Sequence, residues 1–150
     1  MKNSWLETDL VAQIGIIVRD IEQTAEAFAG FLGVDTPAWS WTDGFEKAQT
    51  RFRGEPSEAR AKLAFFQLGN IEIELIEPDH NPSTWREYLD EHGEGVHHIA
   101  FVIKDMKGKT KRLEEEGISL IQKGEYEGGR YAYFDSVPQL KVLLELLEND

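Results

Sequence analysis

Apolar positions follow two different spacings in the first part of the chain. Residues 11–18 form a mostly apolar run, which predicts a buried strand. Asp20, with Gln23 three residues later, forms a capping box that predicts a helix start, and Gly33 predicts the helix end. The apolar residues between them recur at helical spacing: Ile21, Ala25, Phe28, Phe31 and Leu32. The chain is therefore expected to open with a strand followed by a helix.

Strand and turn signals fill the rest of the first half. Trp39 and Trp41 lie two residues apart, so they are expected to share one face of an extended segment. Residues 43–60 are polar with scattered Gly and Pro, which predicts turns or a mobile hairpin. Two strands joined by a Gly-Asn turn are predicted after it, at 62–68 and 71–77. The first half thus predicts the order strand, helix, three strands.

The second half repeats that order. Its connector, residues 78–95, contains a capping box at Thr84 and Glu87 that predicts a short amphipathic helix. Asp105 is expected to begin a longer helix that ends near Gly117. Three further strands are predicted with the bounds 119–123, 130–134 and 141–147.

Two internal repeats relate the halves. The run at 14–21 reappears 85 positions later, and the run at 73–77 is echoed 71 positions later. Polar residues occupy equivalent places in these runs: Gln13, Glu74, His98 and Glu145. Self-similarity of this kind predicts the architecture. We expect an α+β fold in which two βαβββ modules, about 9–78 and 96–148, form a curved eight-stranded mixed sheet. This sheet would be an open barrel cradle with the helices outside, and a pseudo-twofold pairing would bring the four polar residues together.

The composition disfavours several kinds of partner. A net charge of −12 over 150 residues disfavours nucleic acids and anionic membrane surfaces. The chain has no Cys, which excludes disulfides and thiolate ligands. It has no apolar stretch of the roughly 18 residues that span a membrane, and its first residues lack the apolar region of a secretion signal. A single domain in the cytoplasm is expected.

The four equivalent polar positions suit a divalent metal ion. One imidazole, two carboxylates and an amide oxygen form an oxygen-rich set that fits octahedral Zn²⁺, Ni²⁺, Co²⁺, Mn²⁺ or Fe²⁺ with two open positions. Glu145 carries the strongest independent signal, because apolar residues flank it without alternation and a buried acid needs a partner. Taken alone, Glu74 fits a half-exposed strand, Gln13 a strand end and His98 a core histidine, so these assignments depend on the repeat.

Two segments resemble the vicinal oxygen chelate superfamily, which includes glyoxalase I, methylmalonyl-CoA epimerases, extradiol dioxygenases and drug resistance proteins. Residues 93–101, Gly-Glu-Gly-Val-His-His-Ile-Ala-Phe, are similar to the opening of the second epimerase module, and residues 68–78 to the end of the first. The resemblance covers about 11–148 and implies these metal ligands: Gln13, Glu74, His98 and Glu145. His97 is expected to point to the opposite face of its strand. Epimerases usually have His in place of Gln13, whereas Gln is found in some glyoxalase I enzymes.

The resemblance implies a lyase or isomerase of the glyoxalase I type, which removes a proton next to a carbonyl through a metal-bound enediolate. A methylmalonyl-CoA epimerase-like racemase is the alternative. Glu145 is expected to be the base, and alignment with the epimerase strand makes Glu58 a second candidate. An extradiol dioxygenase is disfavoured because only one His is in register. A non-catalytic small-molecule-binding protein of the resistance type stays open.

The pocket residues are predicted less directly. Trp39 and Trp41 are expected to line the cradle above the metal, and Arg130 with Lys123 to bind an anionic substrate tail. The acidic chain shows no clear cationic cluster for glutathione or coenzyme A. A small α-hydroxycarbonyl compound with two neighbouring oxygens is therefore the expected substrate. The resemblance also implies a homodimer.

Overall fold

The computed structural model describes residues 4–150, which fold into one continuous sheet with helices packed on it. The helices are α1 Ile21–Leu32, α2 Phe45–Ala48, α3 Thr84–His92, α4 Met106–Glu115 and α5 Val137–Leu140. The strands are β1 Gln13–Ile17, β2 Ser40–Trp41, β3 Arg51–Phe52, β4 Glu55–Pro56, β5 Ala61–Gln67, β6 Glu72–Pro78, β7 Gly95–Val102, β8 Leu120–Tyr126, β9 Gly129–Phe134 and β10 Leu143–Asn149.

The sheet is mixed, in the order β2-β5-β6-β1-β7-β10-β9-β8-β3-β4. β1 runs parallel to β6 and β10 runs parallel to β7, while the other pairs are antiparallel. Residues from β2, β5 and β6 line the same cavity as residues from β8, β9 and β10, so the sheet curls. The predicted α+β cradle is confirmed.

The described residues form ten strands, and the two additional ones come from the polar segment 43–60. This segment contains α2 and the hairpin β3–β4, and β3 pairs with β8 at the far edge of the sheet. A segment of the first half of the chain therefore extends the second half of the sheet. The eight-stranded prediction missed this because periodicity within one segment carries no information about distant pairing.

Helix caps agree with the sequence in two cases and differ in one. The Asp20 carboxylate accepts from the Gln23 amide at 3.1 Å, and Gly33 ends α1 at φ 71°. α3 instead begins after Ser83, whose hydroxyl accepts from the Arg86 amide at 2.9 Å. The predicted box at Thr84 and Glu87 was wrong by one residue, because Ser83 is the N-cap, and the Glu87 carboxylate binds Arg53 at 2.8 Å.

Three apolar clusters hold the helices against the sheet. α1 buries Ile21, Ala25 and Ala29 against residues of β5 and β6, which leaves Phe31 84% exposed, contrary to its predicted place on the buried face. α3 packs Trp85 and Leu89 into a cluster with side chains of β1 and β6, and α4 packs against β9 and β10. Between residues 4 and 150, no helix has the length and apolar character to cross a bilayer.

Candidate metal centre

Four neighbouring strands at the centre of the sheet, β6-β1-β7-β10, carry the predicted ligands. Gly15 on β1 pairs with Glu74 on one side and with His98 on the other. A Cβ atom on Gly15 would collide with the His98 imidazole, so the ring lies over the space that the glycine leaves open. The sequence therefore brings Glu74 and His98 together across a position without a side chain.

A second small residue separates the other two ligand candidates. Ala100 on β7 pairs with Gln13 on β1 and with Glu145 on β10. Gln13 and His98 are thus related by the same 85-residue offset as Gly15 and Ala100. The pseudo-twofold relation between the halves places all four polar side chains on the concave face.

The donor atoms of the four side chains converge on one point. His98 Nε2 lies 3.0 Å from Gln13 Oε1, 3.0 Å from Glu145 Oε1 and 3.4 Å from Glu74 Oε1. Donor atoms of Glu74, His98 and Glu145 all lie within 4.8 Å of one another. All four residues are at least nine-tenths buried. The structure therefore brings together every residue that the repeat singled out.

These donors fit a divalent ion. Bonds of about 2.1 Å place neighbouring ligands of an octahedral ion roughly 3.0 Å apart, close to the spacings around His98 Nε2. Glu74 Oε1 and Glu145 Oε1 are buried and have no hydrogen-bond partner among the described residues. Burial lowers the pKa of His98 to about 3, so its imidazole is neutral and able to donate a lone pair. A cation would partner the two orphaned oxygens, and the residues present fit a metal.

Burial also dominates the titration of the two acids. It raises the pKa of Glu145 to about 8. It raises the pKa of Glu74 as well, and the charges of Glu145 and Glu72 add to this effect. Two ionised carboxylates in a buried site are unfavourable without a neighbouring cation. The metal-free site therefore holds protons near neutral pH.

Glu72 orients the amide of Gln13. Gln13 Nε2 donates to Glu72 Oε1 at 2.6 Å, which leaves the amide oxygen to face His98. Gln67 also donates to the Glu72 carboxylate. Sequence reasoning missed this role, although Glu72 and Glu74 lie two apart on one strand and therefore on one face.

A β-bulge brings His97 against His98. Gly15 pairs with His98 but Ile16 pairs with Val96, so His97 is the extra residue on β7. The two Nδ1 atoms are 2.8 Å apart. Strict alternation predicted that His97 points to the opposite face, but the bulge puts the rings in contact. If His98 held a metal through Nε2, its ring proton would lie on Nδ1, which would then donate to His97 Nδ1.

A cavity of about 390 Å³ opens beside the ligands. Gln13, Glu74 and Glu145 lie in its wall, and its aromatic lining consists of Trp41, Phe65, Trp85, Tyr126, Tyr131 and Tyr133. Tyr133 pairs with Glu145 across β9 and β10. The Trp85 indole N–H donates to the Tyr133 oxygen at 3.0 Å, which leaves the hydroxyl hydrogen free for Glu145, whose pKa it lowers. Sequence reasoning did not single out Tyr133, although alternation along β9 could have placed it on the same face as Tyr131.

The two predicted tryptophans occupy different environments. Trp41 lines the cavity, whereas Trp39 is partly buried in the cluster beneath α1. The Trp39 indole N–H donates to Glu22 on α1 at 2.9 Å. The two rings meet edge-on at 6.1 Å. Spacing of two residues predicted one shared face, but only residues 40–41 are strand, so the structure places Trp39 away from the predicted pocket.

The remaining candidates lie outside the cavity. Glu58 is exposed in the segment between β4 and β5, and the structure does not bring it to the ligands. Arg130 lies with Lys123 in a separate groove and binds Glu148 at 2.8 Å and Asp150 at 2.6 Å. These contacts occupy its guanidinium, so Arg130 is not placed to bind an anionic group inside the cavity.

Comparison with known proteins agrees with this geometry. Residues 12–134 match the family model of the Glyoxalase/Bleomycin resistance protein/Dioxygenase superfamily. The chain is 32% identical over 94 residues to the uncharacterized protein YqjC of Bacillus subtilis, covering 61% of this chain and 67% of the relative. It is 26% identical over 119 residues to an ethylmalonyl-CoA/methylmalonyl-CoA epimerase of Cereibacter sphaeroides, covering 79% and 78%.

Solved structures share the fold. The methylmalonyl-CoA epimerase of Mycobacterium tuberculosis superposes with a TM-score of 0.66 at 21% identity, covering all of this chain and 93% of that one. A methylmalonyl-CoA epimerase in complex with methylmalonyl-CoA superposes with a TM-score of 0.64 at 21% identity, covering 93% and 94%. At this level of identity the similarity establishes the fold alone.

Proposed function

Since the chain belongs to the Glyoxalase/Bleomycin resistance protein/Dioxygenase superfamily, we propose that it is a divalent-metal-dependent lyase or isomerase that removes a proton next to a carbonyl group. One observation supports this most strongly. Buried oxygens of Glu74 and Glu145 flank the neutral His98 imidazole without any hydrogen-bond partner among the described residues. Such atoms suit a ligand that supplies positive charge.

Gln13 Oε1, Glu74, His98 Nε2 and Glu145 would hold the ion. When bound there, a divalent ion polarises a carbonyl and stabilises the negative charge that develops as the neighbouring proton leaves. Glu72 keeps the Gln13 oxygen directed at the site, and Gly15 leaves the room that the His98 ring needs. The ion itself, whether Zn²⁺, Ni²⁺, Co²⁺, Mn²⁺ or Fe²⁺, is not distinguished by this ligand set.

Glu145 is the residue that we propose as the base. Its carboxylate lies in the cavity wall, and it would act as a ligand of the ion before substrate binds and as the acceptor of the proton afterwards. The Tyr133 hydroxyl would orient the carboxylate, because Trp85 fixes the hydroxyl oxygen from the other side. Glu58, the second candidate from sequence, is exposed and not placed for this role.

The reaction is proposed to be of the glyoxalase I type, in which the proton returns to a neighbouring atom. Gln13 in the first ligand position supports this choice, because the vicinal oxygen chelate resemblance associates Gln there with glyoxalase I enzymes. Epimerisation, in which the proton returns to the same carbon, is the second candidate. The Cereibacter sphaeroides epimerase, 26% identical over 119 residues, favours it.

Proton exchange in heavy water tests the proposal. Protein loaded with each of the five ions would be incubated in D₂O with a panel of α-hydroxycarbonyl compounds and thioesters, and the α-proton signal followed by nuclear magnetic resonance. We expect the α-proton signal of at least one substrate to disappear as deuterium replaces the proton. A chelator should prevent this exchange, and adding the ion back should restore it. Deuterium incorporated at the carbon that lost the proton would indicate epimerisation. A product in which the carbonyl group has moved to the neighbouring carbon would indicate the glyoxalase type.

A matched variant separates the proposed base from the exposed acid. Glu58→Gln should exchange as fast as the wild-type protein, whereas Glu145→Gln should not exchange. Stoichiometric metal binding with no exchange on any substrate would contradict the proposed catalysis and favour the resistance-type binding protein.

A further inference from the structure

Acidic side chains surround the cavity beyond those that would hold the metal. Besides Glu74 and Glu145, its wall contains Asp43, Glu72 and Glu125, and among the residues that the structure describes no Lys or Arg lines it. A bound divalent ion would balance Glu74 and Glu145. The other three acids would then give the cavity a net negative charge.

Nearby cations are occupied with other contacts. The Arg60 guanidinium stacks on Trp41 at 5.3 Å and donates from Nε to the Thr42 carbonyl. Lys62 lies 4.5 Å from the centre of the Trp39 ring and pairs with Glu77 at 3.3 Å. Neither side chain lines the cavity wall.

Arg130 offsets only one of the three acids, and weakly. Its Nε lies 3.6 Å from Glu125, while its terminal nitrogens bind Glu148 and Asp150 at shorter distances. The Glu72 carboxylate accepts from two amides, which carry no charge to neutralise it. These contacts therefore leave the acidic character of the cavity largely unneutralised.

The aromatic lining is compatible with uncharged or cationic groups. Six aromatic rings supply apolar area, and the faces of such rings attract cations and repel anions. A carboxylate or phosphate inside the cavity would face these rings and the three acids together. A hydroxyl, a methyl or an ammonium group would not be repelled.

We infer that the part of the substrate that enters this cavity carries no negative charge, and that a cationic substituent is favoured there. This inference rests on the proposed function, because the substrate would bind the metal through two neighbouring oxygens. It specifies a neutral or cationic α-hydroxycarbonyl group. It disfavours a malonyl-type carboxylate inside the cavity, even if a larger anionic tail lies outside.

Three hydroxamates of equal length test the inference, because each presents two neighbouring oxygens to a metal. Succinic monohydroxamate, butyrohydroxamate and β-alanine hydroxamate end in a carboxylate, a methyl and an ammonium group, respectively. Their binding to protein loaded with one equivalent of Zn²⁺ would be measured by calorimetry at low ionic strength. We expect the carboxylate probe to bind about tenfold or more weakly than the methyl probe, and the ammonium probe at least as tightly.

Two controls identify the source of the discrimination. In 0.5 M NaCl the difference in affinity between the carboxylate probe and the methyl probe should become smaller, because salt screens charges at the cavity mouth. Asp43→Asn should also narrow it, whereas Asp35→Asn, an exposed acid outside the cavity, should leave it unchanged.

The outcomes separate this inference from the proposed function. Normal Zn²⁺ uptake with the carboxylate probe bound as tightly as the methyl probe overturns the inference alone. If Zn²⁺ uptake is normal but the affinity difference between the carboxylate and methyl probes stays the same in Asp43→Asn and in high salt, the electrostatic basis of the inference is overturned. If the protein takes up no Zn²⁺, the probes are measured on protein loaded with Ni²⁺, Co²⁺, Mn²⁺ or Fe²⁺; if it takes up none of the five ions, the proposed function fails and the inference falls with it.

Discussion

At the candidate metal centre, the first half of the sheet offers the amide of Gln13 and the carboxylate of Glu74, and the second half offers the imidazole of His98 and the carboxylate of Glu145. Topology treats the halves alike, because His98 lies 85 positions after Gln13 and Glu145 lies 71 positions after Glu74, the two offsets of the repeat. The residues that orient these side chains differ between the halves. Glu72 orients Gln13, but the residue 71 positions after Glu72 is Leu143, which pairs with His98 and has no polar group.

In the second half, a β-bulge rather than a carboxylate brings the orienting group against His98. His97 is the extra residue of a bulge, and its Nδ1 lies 2.8 Å from His98 Nδ1. In the first half the corresponding residue is Ala12. The two halves thus share the positions of their proposed ligands but not the groups that orient them. An internal repeat predicts where the proposed ligands converge, and each half supplies its own orienting contacts.

The largest effect is expected from the small residues between the ligands. Gly15→Ala places a methyl group where the His98 ring lies, so we expect metal affinity to fall by more than about 100-fold, with a loss of unfolding free energy of about 1–3 kcal/mol. Ala100→Gly, at the equivalent position, should cost about 0.5–1 kcal/mol of stability and leave metal binding intact. Calorimetry and urea unfolding measure both. Near wild-type affinity in Gly15→Ala would show that the ring can move.

Metal affinity should also depend on pH, through one acid from each half. Metal-free Glu145 has a pKa of about 8 and Glu74 a raised pKa, so both retain protons that metal binding must displace. Affinity should rise from pH 6 to pH 8 by about tenfold per pH unit for each proton displaced, and the contribution of Glu145 should level off above pH 8. Removing one acid by Glu145→Gln should reduce the slope. A flat profile for the wild-type protein would contradict the raised pKa values.

The raised pKa of Glu145 also determines how the stability of the metal-free protein changes with pH. Because the folded pKa of Glu145 is raised above its usual value of 4.5, the folded state binds more protons than the unfolded state between these values. The lowered pKa values of buried His97 and His98 act in the opposite direction below about pH 6.5, so metal-free protein should lose stability as the pH rises from about 6.5 to 8. Urea unfolding in the presence of a chelator, at pH 6.5 and pH 8, measures the change. Higher stability at pH 8 would contradict it.

His97 tests the support in the second half. His97→Phe keeps a ring of similar size but removes the acceptor of the His98 Nδ1–H, so we expect metal affinity to fall by about 10–100-fold. His92→Phe, a histidine that stacks on Tyr88 near the end of α3, is the matched control and should bind metal normally. Calorimetric metal titration of both variants is the measurement. Equal affinities would remove His97 from the set of orienting residues.

Glu72 tests the support in the first half. Glu72→Leu gives β6 the residue type that β10 has at Leu143 and frees the Gln13 amide to rotate. We expect a loss of about tenfold in metal affinity, smaller than for His97→Phe because Glu72 is only partly buried whereas His97 is fully buried. The same titration reports it. A loss larger than that of His97→Phe would reverse the proposed ranking of the two supports.

The convergence of the four proposed ligands was predictable because the repeat is long enough to align, and strand pairing then brings each position to the centre of the sheet. Gln13 and His98 had no individual signal, yet the structure brings them within 3.0 Å. The helix caps at Asp20 and Asp105 were also readable, since each carboxylate accepts from a backbone N–H only three residues later, which is a local interaction.

Residues whose roles depend on distant neighbours were not predictable in this way. Trp39 and Arg130 were expected at the substrate, but Glu22 on α1 and the acids near the chain end hold them elsewhere. Tyr133 reaches the site because Trp85, from the connector helix, packs against it. The bulge at His97 depends on pairing with β1, which period-two alternation within β7 cannot reveal.

Metal uptake by the wild-type chain and by Glu145→Gln is the most direct measurement of the proposed site. Equilibrium dialysis against Zn²⁺, Ni²⁺, Co²⁺, Mn²⁺ and Fe²⁺, followed by elemental analysis, gives stoichiometry and affinity. We expect one ion per chain in the wild-type protein, with affinity reduced by more than about 100-fold in the variant, because one carboxylate ligand is lost. Absence of uptake for all five ions, or equal uptake by both proteins, would contradict a metal centre at these residues.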